Sequence, residues 1–260
     1  MILSVALRRA TLAMPILALV ALSGCDTRAP APVFNSAVLI TVDTFRADAF
    51  GAGGHPLVRS PHLDRFFRTA VQYAQAFSPS PTTLSSHTSI LTGAWPTRHG
   101  VLRNLEPAPP SLLTLPEQLH DTGFRTAAFV SSVALDPRLG LSQGFEVYDF
   151  QATREVKLDQ PWRPAGRTLR RATQWWMNME GDRRFLWVHL FEPHFPYEPP
   201  EEFVELYDPG YRGSVQGDMD TLLDLWDRPE AVSARDRQRL RAMYFAEVSG
   251  LDRKMGEFLA

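Results

Sequence analysis

The sequence predicts an α/β fold, a mainly parallel sheet flanked by helices, and three observations predict it. Residues 37–42 form a continuous apolar run with β-branched members, suited to a strand buried on both faces. Segments of strand character then alternate with segments of helix character, as parallel strands joined by crossover helices require. Near the end, Leu240, Tyr244, Val248, Leu251, Met255 and Leu259 recur at spacings of four and three, which gives a helix one apolar face to lay on such a sheet. A chain of 260 residues, 44% apolar and with net charge −2, can bury one sizeable core. It offers no basic stripe to neutralise a phosphate backbone, so nucleic acid is not an expected partner.

The first 24 residues read as a lipoprotein signal peptide. Arg8 and Arg9 form a charged start, residues 10–22 an apolar stretch too short to span a membrane, and LSGC at 22–25 resembles a bacterial lipobox. Cys25 is the only cysteine, so no intrachain disulfide can form, and lipidation of Cys25 accounts for its presence. The expected location is the bacterial cell envelope, outside the cytoplasm and anchored by lipid; Asp26 after the cysteine resembles a signal for inner-membrane retention. Residues 25–35 read as a Pro-rich tether, and 36–260 as one domain.

Within that domain the predicted strand 37–42 places Asp43 at its carboxyl end. Ser60 and Pro61 read as N-cap and first residue of a helix through about residue 70. Thr114 and Glu117 form a capping box for another helix, stopped by Gly123. Residues 124–131 read as a second strand and 184–190 as a third, running toward His194. His189 falls inside that strand and reads as part of it. Ligands of open α/β sheets gather beyond the carboxyl ends of the strands, so Asp43 and His194 are expected to face one crevice. Residues 151–165 and 196–230, rich in Pro, Gly and charge, read as loops on its rim. Thr83 precedes a helix predicted over 84–91, a position that suits a helix cap and equally a hydroxyl aimed at an anion. His87, one turn on, shares its face; on position alone it is as readily a packed histidine.

Five stretches in order resemble the sulfatases of the alkaline phosphatase superfamily. They are SAVLITVDTFRADAF at 36–50 with SPHLD at 60–64, SPTTLSSHTSILTG at 80–93 followed by AWPTRHG, TGFRTAAF at 122–129, FLWVHLFEPH at 185–194, and the helix from 244 to 259. The resemblance implies an alkaline phosphatase-like fold and hydrolysis or transfer of an anionic sulfate or phosphate ester. Counting back from Thr92 and Gly93 puts Thr83 where sulfatases carry the Cys or Ser that becomes formylglycine, and a threonine cannot be converted. Thr82, Ser85 and Ser86 are the alternatives if that register is displaced.

The resemblance further implies Asp43 and Thr83 as ligands of a divalent metal (calcium, magnesium, manganese or zinc), His87 at the position of the arginine that holds formylglycine, and His194 as the histidine facing the leaving group. Three departures stand out. Thr44 replaces a second aspartate, VSSV at 130–133 replaces a Gly-Lys-Trp-His stretch, and no strand ending in an Asp-His or Asp-Asn pair follows the last helix. The sequence reading therefore expects an incomplete domain, inactive as it stands, its missing C-terminal half lying in a longer protein or a second polypeptide. The alternative is a catalytically dead binding module on the sulfatase fold.

Overall fold

The computed structural model of the chain describes residues 35–150, 162–181 and 183–260; the signal peptide, Cys25 and nearly all of the tether lie outside them. Four parallel strands, β1 (Ser36–Val42), β2 (Arg125–Val130), β3 (Val147–Phe150) and β4 (Arg184–Leu190), form one sheet in the order β1-β4-β2-β3. Among the described residues eight α-helices accompany them: α1 (Pro61–Phe67), α2 (Thr83–Thr92), α3 (Pro96–His99), α4 (Leu115–Asp121), α5 (Ala165–Asn178), α6 (Glu201–Tyr207), α7 (Met219–Asp227) and α8 (Ala234–Leu259). The α/β class and the parallel sheet agree with the sequence.

Alternation along β4 divides the core. Leu186, Val188 and Leu190 face one side, where Leu169 of α5, Val248 and Leu251 of α8 and Leu63 of α1 close over them. Trp187 faces the other, with Leu84 and Leu91 of α2. A strand covered on both faces by helices is what a parallel sheet demands, and β2 and β4 meet it. β1 does not. It lies at the sheet edge, and Val38 remains 43% exposed, so its predicted burial on both faces is corrected.

Several boundaries also differ from expectation. The Ser60 side chain does not cap α1; its hydroxyl donates to Asp64 Oδ1 (3.0 Å) and accepts from Gly51 N (2.8 Å). The first-turn donors of α1 are taken by Asp252 of α8 instead, which accepts from Leu63 N at 2.7 Å and His62 N at 3.3 Å. A buried carboxylate from a distant helix thus replaces the local cap and ties α1 to α8. The helix stops at Phe67 rather than near residue 70. The Thr114–Glu117 capping box is present, with Thr114 N donating to Glu117 Oε2 at 2.8 Å. The expected loop 196–230 contains α6 and α7, and β3 and α5 add a strand and a crossover helix that the sequence reading lacks.

Glu247 of α8 is buried and accepts from Glu198 N at 2.6 Å. Burial, aided by the negative charge of Glu192, pushes its pKa up to about 7. A carboxyl raised in the fold binds more protons there than in the unfolded chain, so stability falls as pH rises from the unfolded value near 4.5 toward 7. Glu247→Gln keeps the acceptor and removes the charge. It is expected to stabilise the protein at pH 8 by about 1 to 3 kcal/mol, at about 1.4 kcal/mol per pKa unit, with little effect at pH 4. Urea unfolding of both proteins at the two pH values checks this; equal stabilisation at both would show that the charge is not responsible.

Candidate active site

The site begins where β1 ends. Asp43 N donates to Leu190 O at 2.9 Å, so the ladder with β4 continues one residue past the strand and fixes the Asp43 main chain. The chain then turns through Thr44, whose φ of 51° places a β-branched residue in the left-handed region. Such a conformation costs roughly 1–3 kcal/mol and persists only where its surroundings hold it. Here the Tyr244 hydroxyl of α8 donates to Thr44 O (2.9 Å) and accepts from Arg46 N (3.0 Å), pinning both sides of the turn. Tyr244→Phe removes both bonds and is expected to cost about 1 to 2 kcal/mol. Thermal unfolding measures that loss, and a neutral result would mean that the turn holds itself.

The second component comes from α2. Thr82, not Thr83, is the N-cap residue, and its side chain makes no capping bond; Thr83 is the first helical residue. Freed from capping, Thr83 Oγ1 donates to Asp43 Oδ2 at 3.0 Å. The sequence reading of Thr83 as a cap is therefore corrected by one residue, and the structure brings Thr83 and Asp43 together. The alternative hydroxyls are engaged elsewhere. Ser85 Oγ donates to Val101 O (2.7 Å), Ser86 Oγ to Thr83 O (3.0 Å), and Thr82 Oγ1 pairs with Ser80 Oγ (3.1 Å). Of these four, Thr83 alone turns its hydroxyl to a carboxylate. The helix behind it has ten residues, and its first-turn Leu84 N donates to Asn104 Oδ1 at 2.9 Å.

Two histidines lie beneath the pair. His87 Nδ1 donates to Thr83 O (2.7 Å), so His87 orients the Thr83 main chain rather than its hydroxyl; Nε2 is buried without a partner. Burial lowers its pKa, opposed by the Thr83 carbonyl and the Asp43 charge. His189 is fully buried. Its ring stands edge-on to His87 at 4.9 Å, and its Nε2 lies 3.8 Å from Asp43 Oδ2. Burial, with the neighbouring His87 and His194, holds its pKa well below the ordinary value, so Asp43 rests on a neutral ring. His189 is the site residue the sequence reading missed. Period two from Trp187 puts it on the face covered by α2, and that signal was present.

Asp43, Thr83 and His87 line a hollow of about 510 Å³. His194 lies in a second hollow of about 450 Å³, and Thr44 borders both. The expected single crevice is thus two hollows sharing a wall. The stretch 130–133 carries no free polar group toward the site: Ser131 Oγ pairs with Thr168 Oγ1 (2.7 Å), and Ser132 Oγ accepts from Ala134 N (3.2 Å).

Asp43 and Thr83 are adjacent hard oxygen donors of the kind a divalent cation takes. They are part of a shell, however. Among the described residues no group of three or more His, Cys, Asp or Glu side chains is placed to hold a metal.

The model of the Sulfatase family matches residues 35–260, and the chain belongs to that family. An ulvan-active sulfatase of Formosa agariphila is 26% identical over 251 residues, covering 88% of this chain and 47% of its own length. Among solved structures, a phosphonate monoester hydrolase of Agrobacterium radiobacter superposes with a TM-score of 0.67 at 17% identity, over 86% of this chain and 58% of that one. A structure in complex with its substrate D-glucosamine-2-N,6-O-disulfate superposes with a TM-score of 0.68 at 14% identity, over 87% and 62%. These likenesses show the fold. The chain spans about half the length of the curated relatives it matches.

Proposed function

We propose that the chain carries the nucleophile-bearing part of a metal-dependent hydrolase or transferase for sulfate or phosphate esters, with Thr83 as the attacking group. The observation that carries this reading is the 3.0 Å bond from Thr83 Oγ1 to Asp43 Oδ2 at the first turn of α2. Thr83 Oγ attacks the sulfur or phosphorus, forming one S–O or P–O bond while the bond to the leaving oxygen breaks. Its proton is aimed at Asp43 Oδ2, and His194 donates to the leaving oxygen; water then releases the group from Thr83. A divalent cation held by Asp43 and Thr83 would offset the ester's charge and lower the hydroxyl pKa. His87 and His189, neutral and dry, keep the Asp43–Thr83 pair in place. Threonine in place of a formylglycine precursor favours phosphorus, because threonine nucleophiles in the superfamily that the sequence resembles serve phosphoryl transfer.

Single-turnover cleavage of 4-nitrophenyl phosphate, phenylphosphonate and sulfate esters, with manganese present and protein in excess, tests this reading. Release of nitrophenol that depends on Thr83 supports it. Binding of the esters with no cleavage would favour the second reading, a binding module, for which the single carboxylate at the site among the described residues speaks. The 260-residue chain alone is proposed to be far slower than a protein with the family's full length.

The sequence of residues 8–25 supports a further proposal, a lipid anchor at Cys25 in the bacterial envelope. Cys25→Ser is expected to leave an unprocessed precursor that takes up no fatty-acid analogue. Equal labelling of both proteins would rule the anchor out.

A further inference from the structure

The segment that carries His194 is fastened to α8 on both sides of that residue. Before it, the buried Glu192 accepts from Ala165 N at the start of α5 at 2.9 Å, and Lys254 Nζ of α8 donates to Glu192 Oε1 at 3.1 Å. After it, Glu198 N donates to Oε1 of the buried Glu247 at 2.6 Å. Pro200 then rests on the same helix. A Cβ at Gly250 would lie 2.9 Å from Pro200 Cδ, so a residue without a side chain is what lets the two approach. Glu247, Gly250 and Lys254 recur at spacings of three and four and share one face of α8. Between the two anchors, His194 N donates to Phe191 O (2.9 Å) and Tyr197 N to Gly217 O (2.8 Å). The first partner is local and the second lies in the connection between α6 and α7, so α8 supplies the hold on the core. The His194 ring follows this main chain, because its Nδ1 donates to Phe195 O.

We propose that Glu247 is a positioning residue for His194, its carboxyl group holding the main chain at Glu198 and, through that segment, the ring that lines the hollow. Glu247 lines neither hollow. Packing alone does not account for it. A buried carboxyl beside the acidic Glu192 and Glu198 costs stability, whereas an apolar side chain of similar size would fill the space and leave the Glu198 N–H without this acceptor. The consequence for the reaction rests on the reading of His194 as donor to the leaving oxygen. Donation counts most where that oxygen is strongly basic, so a displaced ring slows esters of weakly acidic alcohols and spares those of acidic ones.

Two measurements on the 260-residue chain test this. Glu247→Leu removes the acceptor and fills the space, and Glu247→Gln keeps an acceptor. In NMR spectra with labelled histidine, Glu247→Leu is expected to shift or broaden the His194 ring signals while those of His87 and His189 stay in place; Glu247→Gln leaves all three near their parent positions, and His194→Ala assigns the signal. In single-turnover cleavage with manganese present, the phenyl and 4-nitrophenyl esters of the acid that the parent cleaves fastest are compared. Glu247→Leu should slow the phenyl ester by at least about tenfold and the nitrophenyl ester by less than about threefold, the pattern that loss of His194 gives and a general loss of structure does not. Glu247→Gln should restore the phenyl rate. The spectra decide the positioning without need of turnover, and cleavage that persists in Thr83→Ala would sink the nucleophile reading while leaving the spectral result intact. Unmoved His194 signals in Glu247→Leu, equal slowing of the two esters, or no rescue by Glu247→Gln would overturn the inference.

Discussion

Thr83→Ala is expected to slow ester cleavage by at least about a thousandfold under single-turnover conditions, in line with the loss of a nucleophile that acts as part of a unit. Its cost in stability is small by comparison. Thr83 is not the N-cap, so no cap is lost, and the single bond to Asp43 contributes about 1 kcal/mol against a typical total of about 5 to 15. Two controls separate chemistry from structure. Thr83→Ser keeps a hydroxyl at the same place and should retain much of the rate. Thr82→Ala alters the N-cap residue, whose side chain makes no capping bond, and should change neither rate nor stability appreciably. Cleavage by Thr83→Ala within tenfold of the parent would mean that another group attacks.

Metal response is the second large effect. Asp43 and Thr83 supply two of the roughly six to eight oxygens that calcium takes, or the roughly six that magnesium takes in stricter geometry. Water can fill vacant positions but brings no charge. The 260-residue chain is therefore expected to bind calcium, magnesium, manganese and zinc with dissociation constants weaker than about 10⁻⁴ M, the range of sites with few charged ligands. Asp43→Asn keeps an acceptor for the Thr83 hydroxyl and removes the only carboxylate beside it among the described residues. It should abolish whatever acceleration metal produces in the single-turnover rate. Calorimetric titration of both proteins measures the affinity. Stoichiometric micromolar binding by the parent chain would show that the described residues hold more of a metal shell than Asp43 and Thr83.

What the sequence disclosed, and what it withheld, follows from local chemistry. β1, β2 and β4 were legible because long apolar runs in a parallel sheet have no other use. β3 is four residues long, and α5 carries three arginines and buries mainly small side chains, so neither stands out from its neighbours. α7 carries Met219, Leu222, Leu223 and Trp226 at helical spacing yet buries none of them; that stripe was legible, and the sequence reading passed over it because the surrounding Pro, Gly and charge read as loop. Asp43 was visible as an acid ending an apolar strand. His189 was not, because a histidine inside a strand reads as packing, and only the crossing of β4 beside β1 brings it under Asp43. The turn at Thr44 was hidden for the opposite reason. A β-branched residue signals extended backbone, and the restraint that overrides it comes from Tyr244, two hundred positions away in sequence. The cap at α2 was misplaced by one residue, since Thr82 and Thr83 are alike in sequence and only the extended backbone of Thr82 marks it as the N-cap.

The measurement that bears most directly on the central claim is the location of the transferred group. The chain, with manganese present, is incubated in excess over a reactive aryl phosphate, phosphonate or sulfate ester, quenched with acid, digested and analysed by mass spectrometry. The account predicts one added phosphoryl, phosphonyl or sulfo group on Thr83 in the peptide from α2, and none on Thr82, Ser85 or Ser86. A group found on any of those hydroxyls instead, or ester consumed while Thr83 stays unmodified at every quench time, would contradict it.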